Sequence, residues 1–79
     1  MGAYPQMPVQ PTNNLVKNVI GVYRTPLMDI TSRVMVTNTT PVGAYRGAGR
    51  PEAVYIVERL MDAAARKLNM DPRAIRKAN

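Results

Sequence analysis

Cysteine, histidine, tryptophan and phenylalanine are all missing from this 79-residue chain. Without cysteine there is no disulfide, no thiolate nucleophile and no zinc–sulfur site, and without histidine the usual imidazole base and metal ligand go too. Four tyrosines are the only aromatic residues. No run of about 18 apolar residues occurs, so no α-helical membrane span is expected. The first ten residues carry no charge and lack the basic start and continuous apolar stretch of a signal peptide, which leads to a cytoplasmic expectation. Acidic residues are scarce, five against eleven Lys and Arg, for a net charge of +6. That balance suits polyanionic partners: nucleic acid, an anionic cofactor or an acidic protein surface.

What is present is barely enough for a self-standing domain. A chain of this size would bury roughly 8,000 Å² on folding, returning on the order of 120 kcal/mol if about three fifths is apolar. Ordering the backbone and side chains costs about the same, near 1.5 kcal/mol per residue. Composition therefore points to a piece of something larger.

Pro5, Pro8 and Pro11 each remove a backbone donor and restrict the preceding residue, so residues 1–11 are expected to be extended or mobile. Leu15, Val16, Val19 and Ile20 then recur at helical spacing, with Thr12 as N-cap and Gly21 as stop, which predicts a short helix over 13–20. Met28, Ile30, Val34 and Val36 fall on one face of a period-2 pattern and Asp29, Arg33 and Thr37 on the other. This predicts a strand over 27–38 whose pairing partners lie outside the sequence. A glycine-rich loop follows over 39–50. Pro51 suits the first position of a helix, Glu52 suits its positive end, and Ala53, Val57, Leu60, Ala64 and Leu68 make an apolar stripe widened by Ile56 and Met61. Glu58, Arg59, Asp62 and Arg66 are read as its solvent face, Asp62 and Arg66 as an i,i+4 pair. A main helix over 51–68 is thus expected to pack on the 27–38 strand through Val57, Leu60 and Ala64. Asn69 closes it, and Asp71 caps a short C-terminal helix from Pro72 that turns Ile75 inward. The fold class expected is α/β.

Chemistry concentrates in Ala44-Tyr45-Arg46-Gly47-Ala48-Gly49-Arg50-Pro51-Glu52. Glycines let a ligand approach the backbone, and the amides of a following helix attract anions, so the loop reads as an anion or cofactor cradle. It reads equally as a connector whose glycines satisfy turn geometry and whose arginines are solvated. It is not a dinucleotide fingerprint, since Glu52 stands where a third glycine would be needed, and no Walker lysine follows. Ala48-Gly49 also breaks the Arg-Gly-Arg-Pro core of a minor-groove hook. Arg66, Lys67, Arg73, Arg76 and Lys77 could serve a small basic nucleic-acid-binding module, but their scatter fits a solvated or partner-facing surface better. Glu52, Glu58 and Asp62 have no acid, base or metal-ligand partner in the pattern and read as helix charges. Met61 and Met70 beside the stripes read as core filling.

The run Thr37-Asn38-Thr39-Thr40-Pro41, then Ala44 to Ala53 with its Arg46-Gly47-Ala48-Gly49-Arg50-Pro51-Glu52 core, then Glu58-Arg59-Leu60 and Asp71-Pro72, resembles the molybdenum-binding large subunit of the xanthine dehydrogenase, aldehyde oxidase and aerobic carbon monoxide dehydrogenase family. Gly2-Ala3-Tyr4 and Gly21-Val22-Tyr23 look like weaker upstream landmarks of the same region. Nearly the whole chain is covered, yet it amounts to about a tenth of such a subunit. The resemblance implies a fragment, with 12–79 part of a larger molybdopterin-binding domain and 1–11 a mobile Pro-rich lead. It further implies oxidoreductases that insert a water-derived oxygen at an electrophilic carbon, with molybdenum on molybdopterin cytosine dinucleotide. Iron–sulfur and flavin subunits, with the remainder of the large subunit, are the implied partners.

By position, Arg46 resembles the family's active-site arginine, and Gly47, Ala48 and Gly49 the backbone turn near the metal centre. Arg50 either touches the cofactor or supports the loop. The family's glutamate base lies far downstream with no counterpart here, so this chain alone is expected to hold no cofactor and turn over no substrate. Gly47 stands where copper-containing CO dehydrogenases resembling this loop carry a cysteine. With no sulfur ligand, no metal-binding side chain is assigned and copper is not expected. The parent chemistry implied is hydroxylation of an aldehyde or an N-heterocycle.

Overall fold

The computed structural model describes Gly2, Ala3 and residues 9–79. Three helices make up its regular structure: α1 (Val9–Asn18), α2 (Arg50–Leu68) and α3 (Pro72–Ala78). Both α1 and α3 pack on α2.

α1 starts four residues earlier and stops two residues earlier than the spacing of its apolar residues predicts. Pro11 sits in its first turn, where backbone N–H groups have no intrahelical acceptor to lose, so this proline breaks nothing. Most of the Pro-rich lead, Met1 and residues 4–8, lies outside the described residues. At the other end the Asn18 side chain donates to the Asn14 carbonyl at 2.7 Å, and the Gly21 N–H closes a turn on the Asn18 carbonyl at 3.0 Å.

α2 forms for the reasons its sequence states. Pro51 occupies the first turn, and the Glu52 carboxylate reaches back to accept from the Gly49 N–H at 2.9 Å. At its far end Asn69 takes the left-handed conformation (φ 53°), which asparagine tolerates better than most residues. The Met70 N–H then bonds the Ala65 carbonyl at 2.9 Å and the Asn69 N–H bonds that of Arg66 at 3.3 Å, satisfying the last turn. After this three-residue link Asp71 caps α3 by accepting from the Arg73 N–H at 3.3 Å, as expected of Asp-Pro.

Val19, Ala53, Val57 and Ala65 are the buried apolar residues among those described. The expected stripe is therefore only partly used: Ala53 and Val57 are covered, Ala65 replaces Ala64, and Leu60 and Leu68 remain 57% and 61% exposed. Two small alanines at the contact let helices approach closely but leave little area to bury.

The α/β expectation is overturned, because the described residues contain helices and no strand. The alternation over 27–38 is real in sequence, but a strand exists only through its ladder, and among the described residues no strand pairs with it. Those residues instead run irregularly along the helices. Met28 to Ser32 line an open groove of about 330 Å³ with Leu15, Val19, Ile56 and Leu60. Leu60 thus faces the 27–38 segment as expected, though that segment is not a strand.

Further along, the segment is tied to the N-terminal residues. The Ala3 N–H donates to the Thr39 carbonyl at 3.0 Å and the Gly2 N–H to Thr37 Oγ1 at 3.2 Å. Gly2 has φ 79°, and a Cβ there would run into the Thr40 carbonyl and the Pro41 backbone, so only glycine fits.

Candidate functional site: the arginine turn at the head of α2

Residues 46–49 form a continuous turn leading into α2. Two hydrogen bonds shape it: the Ala48 N–H donates to the Tyr45 carbonyl and the Arg50 N–H to the Gly47 carbonyl, each at 2.9 Å. Gly47 and Gly49 take positive φ values of 74° and 88°, which explains a glycine at both places. Gly49 is also a point of close approach: a Cβ there would collide with the Pro11 carbonyl and crowd Asn14 and Leu15. α1 thus rests directly on the turn. A cleft of about 160 Å³, lined by Pro11, Thr12, Leu15, Ser32, Gly49 and Glu52, opens beside this contact.

The five residues singled out in the sequence fall into two groups. Gly47 and Ala48 are half-buried and Gly49 is buried, so they supply backbone. Arg46 and Arg50 are exposed at the two ends of the turn, and Tyr45 beside them is 88% exposed. Ahead of Arg46 the chain is open, and nothing lies within 4 Å of a Cβ built on Gly43. Among the described residues no three His, Cys, Asp or Glu side chains converge as metal ligands would.

Sequence reasoning missed Asn14. Its Nδ2 donates to the Ala48 carbonyl at 3.0 Å across 34 positions, and no local pattern announces a contact of that span.

It also misread a second polar constellation at the other end of α2. Glu58 and Asp62, read as solvent charges, both receive Arg76 of α3. Arg76 Nε donates to Glu58 Oε2 at 2.8 Å and Nη2 to Asp62 Oδ1 at 2.7 Å. Nη1 adds a bond to the Pro72 carbonyl at 2.9 Å, and the Tyr23 hydroxyl donates to Glu58 Oε1 at 2.6 Å. The Tyr23 hydroxyl and Arg76 hold the Glu58 carboxyl below its usual range, and Arg76 does the same to Asp62. Receiving Tyr23's proton in a hydrogen bond, the Glu58 carboxylate pushes the phenol up. The guanidinium is held still more firmly protonated by its two carboxylates. Arg76 is therefore internal bracing, which removes it from the basic surface cluster. The upstream landmarks find partners too: Gly2-Ala3 meets Thr37 and Thr39, and Tyr23 meets Glu58.

Fold and turn together define a helical segment with a cationic turn at the head of its longest helix. The chain belongs to the molybdopterin cofactor-binding domain family, which matches residues 1–79. It is 41% identical over 61 residues to the gamma subunit of the 6-hydroxypseudooxynicotine dehydrogenase complex of Paenarthrobacter nicotinovorans, covering 77% of this chain and 8% of that protein. The carbon monoxide dehydrogenase large chain of Hydrogenophaga pseudoflava is 44% identical over 61 residues, 75% of this chain and 8% of its own. The nicotinate dehydrogenase large molybdopterin subunit of Eubacterium barkeri is 33% identical over 78 residues, 99% of this chain and 18% of its own. The chain thus spans less than a fifth of the length of each of these relatives. No solved structure matches it.

Proposed function

We propose that the chain is a segment of the large subunit of a molybdenum hydroxylase and that the turn at 46–50 faces the molybdopterin cofactor, as its cytosine dinucleotide, and the substrate. The observation that carries this reading is the pair of exposed guanidiniums, Arg46 and Arg50, at either end of a glycine turn in a chain of this family. The turn suits an anionic group. Its side chains are cationic, and a Cβ at Gly47 would meet nothing nearer than Pro51 Cδ at 3.9 Å, so the backbone stands open. When bound, the cofactor supplies the redox chemistry that inserts a water-derived oxygen at an electrophilic carbon.

The residues of this chain divide the remaining work. Arg46 orients a substrate oxygen through its planar two-donor fork and stabilises the negative charge that develops there as the carbon is attacked. Gly47, Ala48 and Gly49 present backbone without side-chain bulk, and Arg50 offers its charge to the anionic cofactor. Gly47 carries no sulfur for copper, so the substrate is an aldehyde or an N-heterocycle rather than carbon monoxide. The relative named for nicotinate, an N-heterocycle, supports that class. The remainder of the large subunit, and iron–sulfur and flavin subunits in the cytoplasm, complete the machine. By itself the chain provides neither a base nor a redox relay and should not turn over substrate.

Substituting Arg46→Lys in the full-length enzyme tests the assignment. Cofactor content should be unchanged while kcat falls about 10²- to 10³-fold, since an ammonium cannot reproduce the fork. Arg59→Lys, exposed on α2, should be silent. Wild-type turnover by the Arg46 variant at full molybdenum occupancy would return that arginine to a structural role.

A further inference from the structure

The Ala48–Gly49 peptide is held on both of its polar sides. Its carbonyl accepts from Asn14 Nδ2 at 3.0 Å, and its N–H donates to Glu52 Oε2 at 2.9 Å. These two holders come from different helices, α1 and α2, so the plane of one peptide is fixed between them. The neighbouring peptides are already committed, through the Ala48 N–H to the Tyr45 carbonyl and the Arg50 N–H to that of Gly47. Gly49 at φ 88° is free to rotate that plane where a residue with a side chain would not be. Without Asn14 and Glu52 the turn would therefore have one loose peptide at its centre, with Arg46 two residues before it and Arg50 directly after Gly49.

We propose that Asn14 and Glu52 are positioning residues for the arginine turn: by clamping the Ala48–Gly49 peptide from opposite sides they set the direction in which the Arg46 guanidinium is presented. The proposal rests on the catalytic reading of Arg46. Neither residue touches substrate. Their effect is on alignment, where a displacement of the order of 1 Å can cost about a hundredfold in rate. The clamp also reconciles the carboxylate that suits the positive head of α2 with a turn read as anion-binding. Glu52 is spent on the Gly49 N–H, and the two arginines lie outside that bond.

The experiment uses the full-length enzyme with Asn14→Asp, which keeps the shape but replaces the donor with a carboxylate, and Glu52→Ala, which removes the acceptor. Glu52→Gln retains an acceptor oxygen, and Asn13→Asp makes the same chemical change on an exposed neighbour in α1. Expected are a fall in kcat of about tenfold to a hundredfold for Asn14→Asp and Glu52→Ala, with KM and molybdenum content within about twofold of wild type. Faster hydrogen exchange should be confined to the peptide spanning 45–53. Glu52→Gln and Asn13→Asp should behave as wild type. Unchanged kcat in both loss variants overturns the proposal, as does a kcat loss matched by molybdenum loss, which would make the pair cofactor-retaining rather than positioning. Exchange separates this proposal from the catalytic reading. Unaltered exchange over 45–53 refutes the clamp even if Arg46→Lys is crippled, whereas accelerated exchange with a fully active Arg46→Lys refutes the catalytic role of the arginine.

Discussion

Arg76 shows how one side chain can tether a helix that buries no residue of its own. It spans two carboxylates on α2 and a carbonyl on its own helix, and Glu58 passes the link on to Tyr23. The i,i+4 logic applied to the sequence paired Asp62 with Arg66 instead, because that rule sees along one helix and not across a helix–turn–helix 14 to 18 residues long. Replacing Arg76 by Met should free α3 from α2, seen as faster exchange of the Ile75 amide with α2 unaffected. The linkage signs are fixed by the shifts. Glu58 and Asp62 have lowered values in the folded state, so their contribution is complete above the ordinary carboxylate range near 4 and is lost as pH falls through the lowered values. Tyr23 is raised, so its contribution is complete below about 10 and lost as pH climbs past that. After correction for intrinsic rates, exchange at Ile75 in the wild type should therefore quicken at the acid extreme, while the alkaline loss belongs to the Tyr23–Glu58 bond. In Arg76→Met the acid response should shrink without vanishing, since the Tyr23 hydroxyl still lowers Glu58, and an undiminished wild-type acid response there would refute the brace.

At the scale of elements, both ends of α2 and the start of α3 were legible because each is written in a few adjacent residues: Pro51-Glu52 at one start, Asn69 at a stop, Asp71-Pro72 at the next start. Local chemistry decides such boundaries, and the sequence contains all of it. The start of α1 was not legible, since a proline in a first turn looks the same as one that bars a helix until the register is known. The 27–38 alternation misled for a different reason: strand pattern is a statement about two faces and says nothing of whether a partner strand is at hand. The candidate turn itself was legible in Arg46-Gly47-Ala48-Gly49-Arg50, but its support from Asn14 was not. Docking of α1 on that turn leaves a direct mark on Gly49. Gly49→Ala should force α1 away from the turn, as the added methyl meets the Pro11 carbonyl, in addition to straining φ 88°. A loss of helical ellipticity corresponding to α1, with α2 and α3 retained, is the expected outcome in circular dichroism and exchange.

At the scale of the whole molecule the proportions are those of a part. The radius of gyration is 15.4 Å, against about 12 Å for a compact chain of this length. The exposed surface is 6571 Å², where a globule of this mass would show roughly 4,700 Å². Val22, Leu27 and Tyr45 stand nearly bare, at 90%, 87% and 88% exposure. Such a surface fits a segment whose apolar faces are covered by the remainder of the large subunit proposed above. The 79-residue chain alone should therefore unfold without a sharp cooperative transition. Helical ellipticity and tyrosine fluorescence should follow different curves in urea, with the slowest exchange confined to α2 around Ala53 to Ala65. Coincident, steep transitions by both probes would show that the small core suffices.

The connector between α1 and α2 carries a consequence for the order in which the molecule assembles. α2 and α3 are joined by three residues and can pair as soon as they form, whereas α1 must find α2 across residues 19–49. Closing a loop of roughly thirty residues costs about 3 kcal/mol in chain entropy before any contact rewards it. The Asn14 bond and the Gly49 contact belong to that late event. The arginine turn can then take shape in two stages, its local hydrogen bonds forming with the head of α2 and its support from Asn14 arriving only when α1 docks.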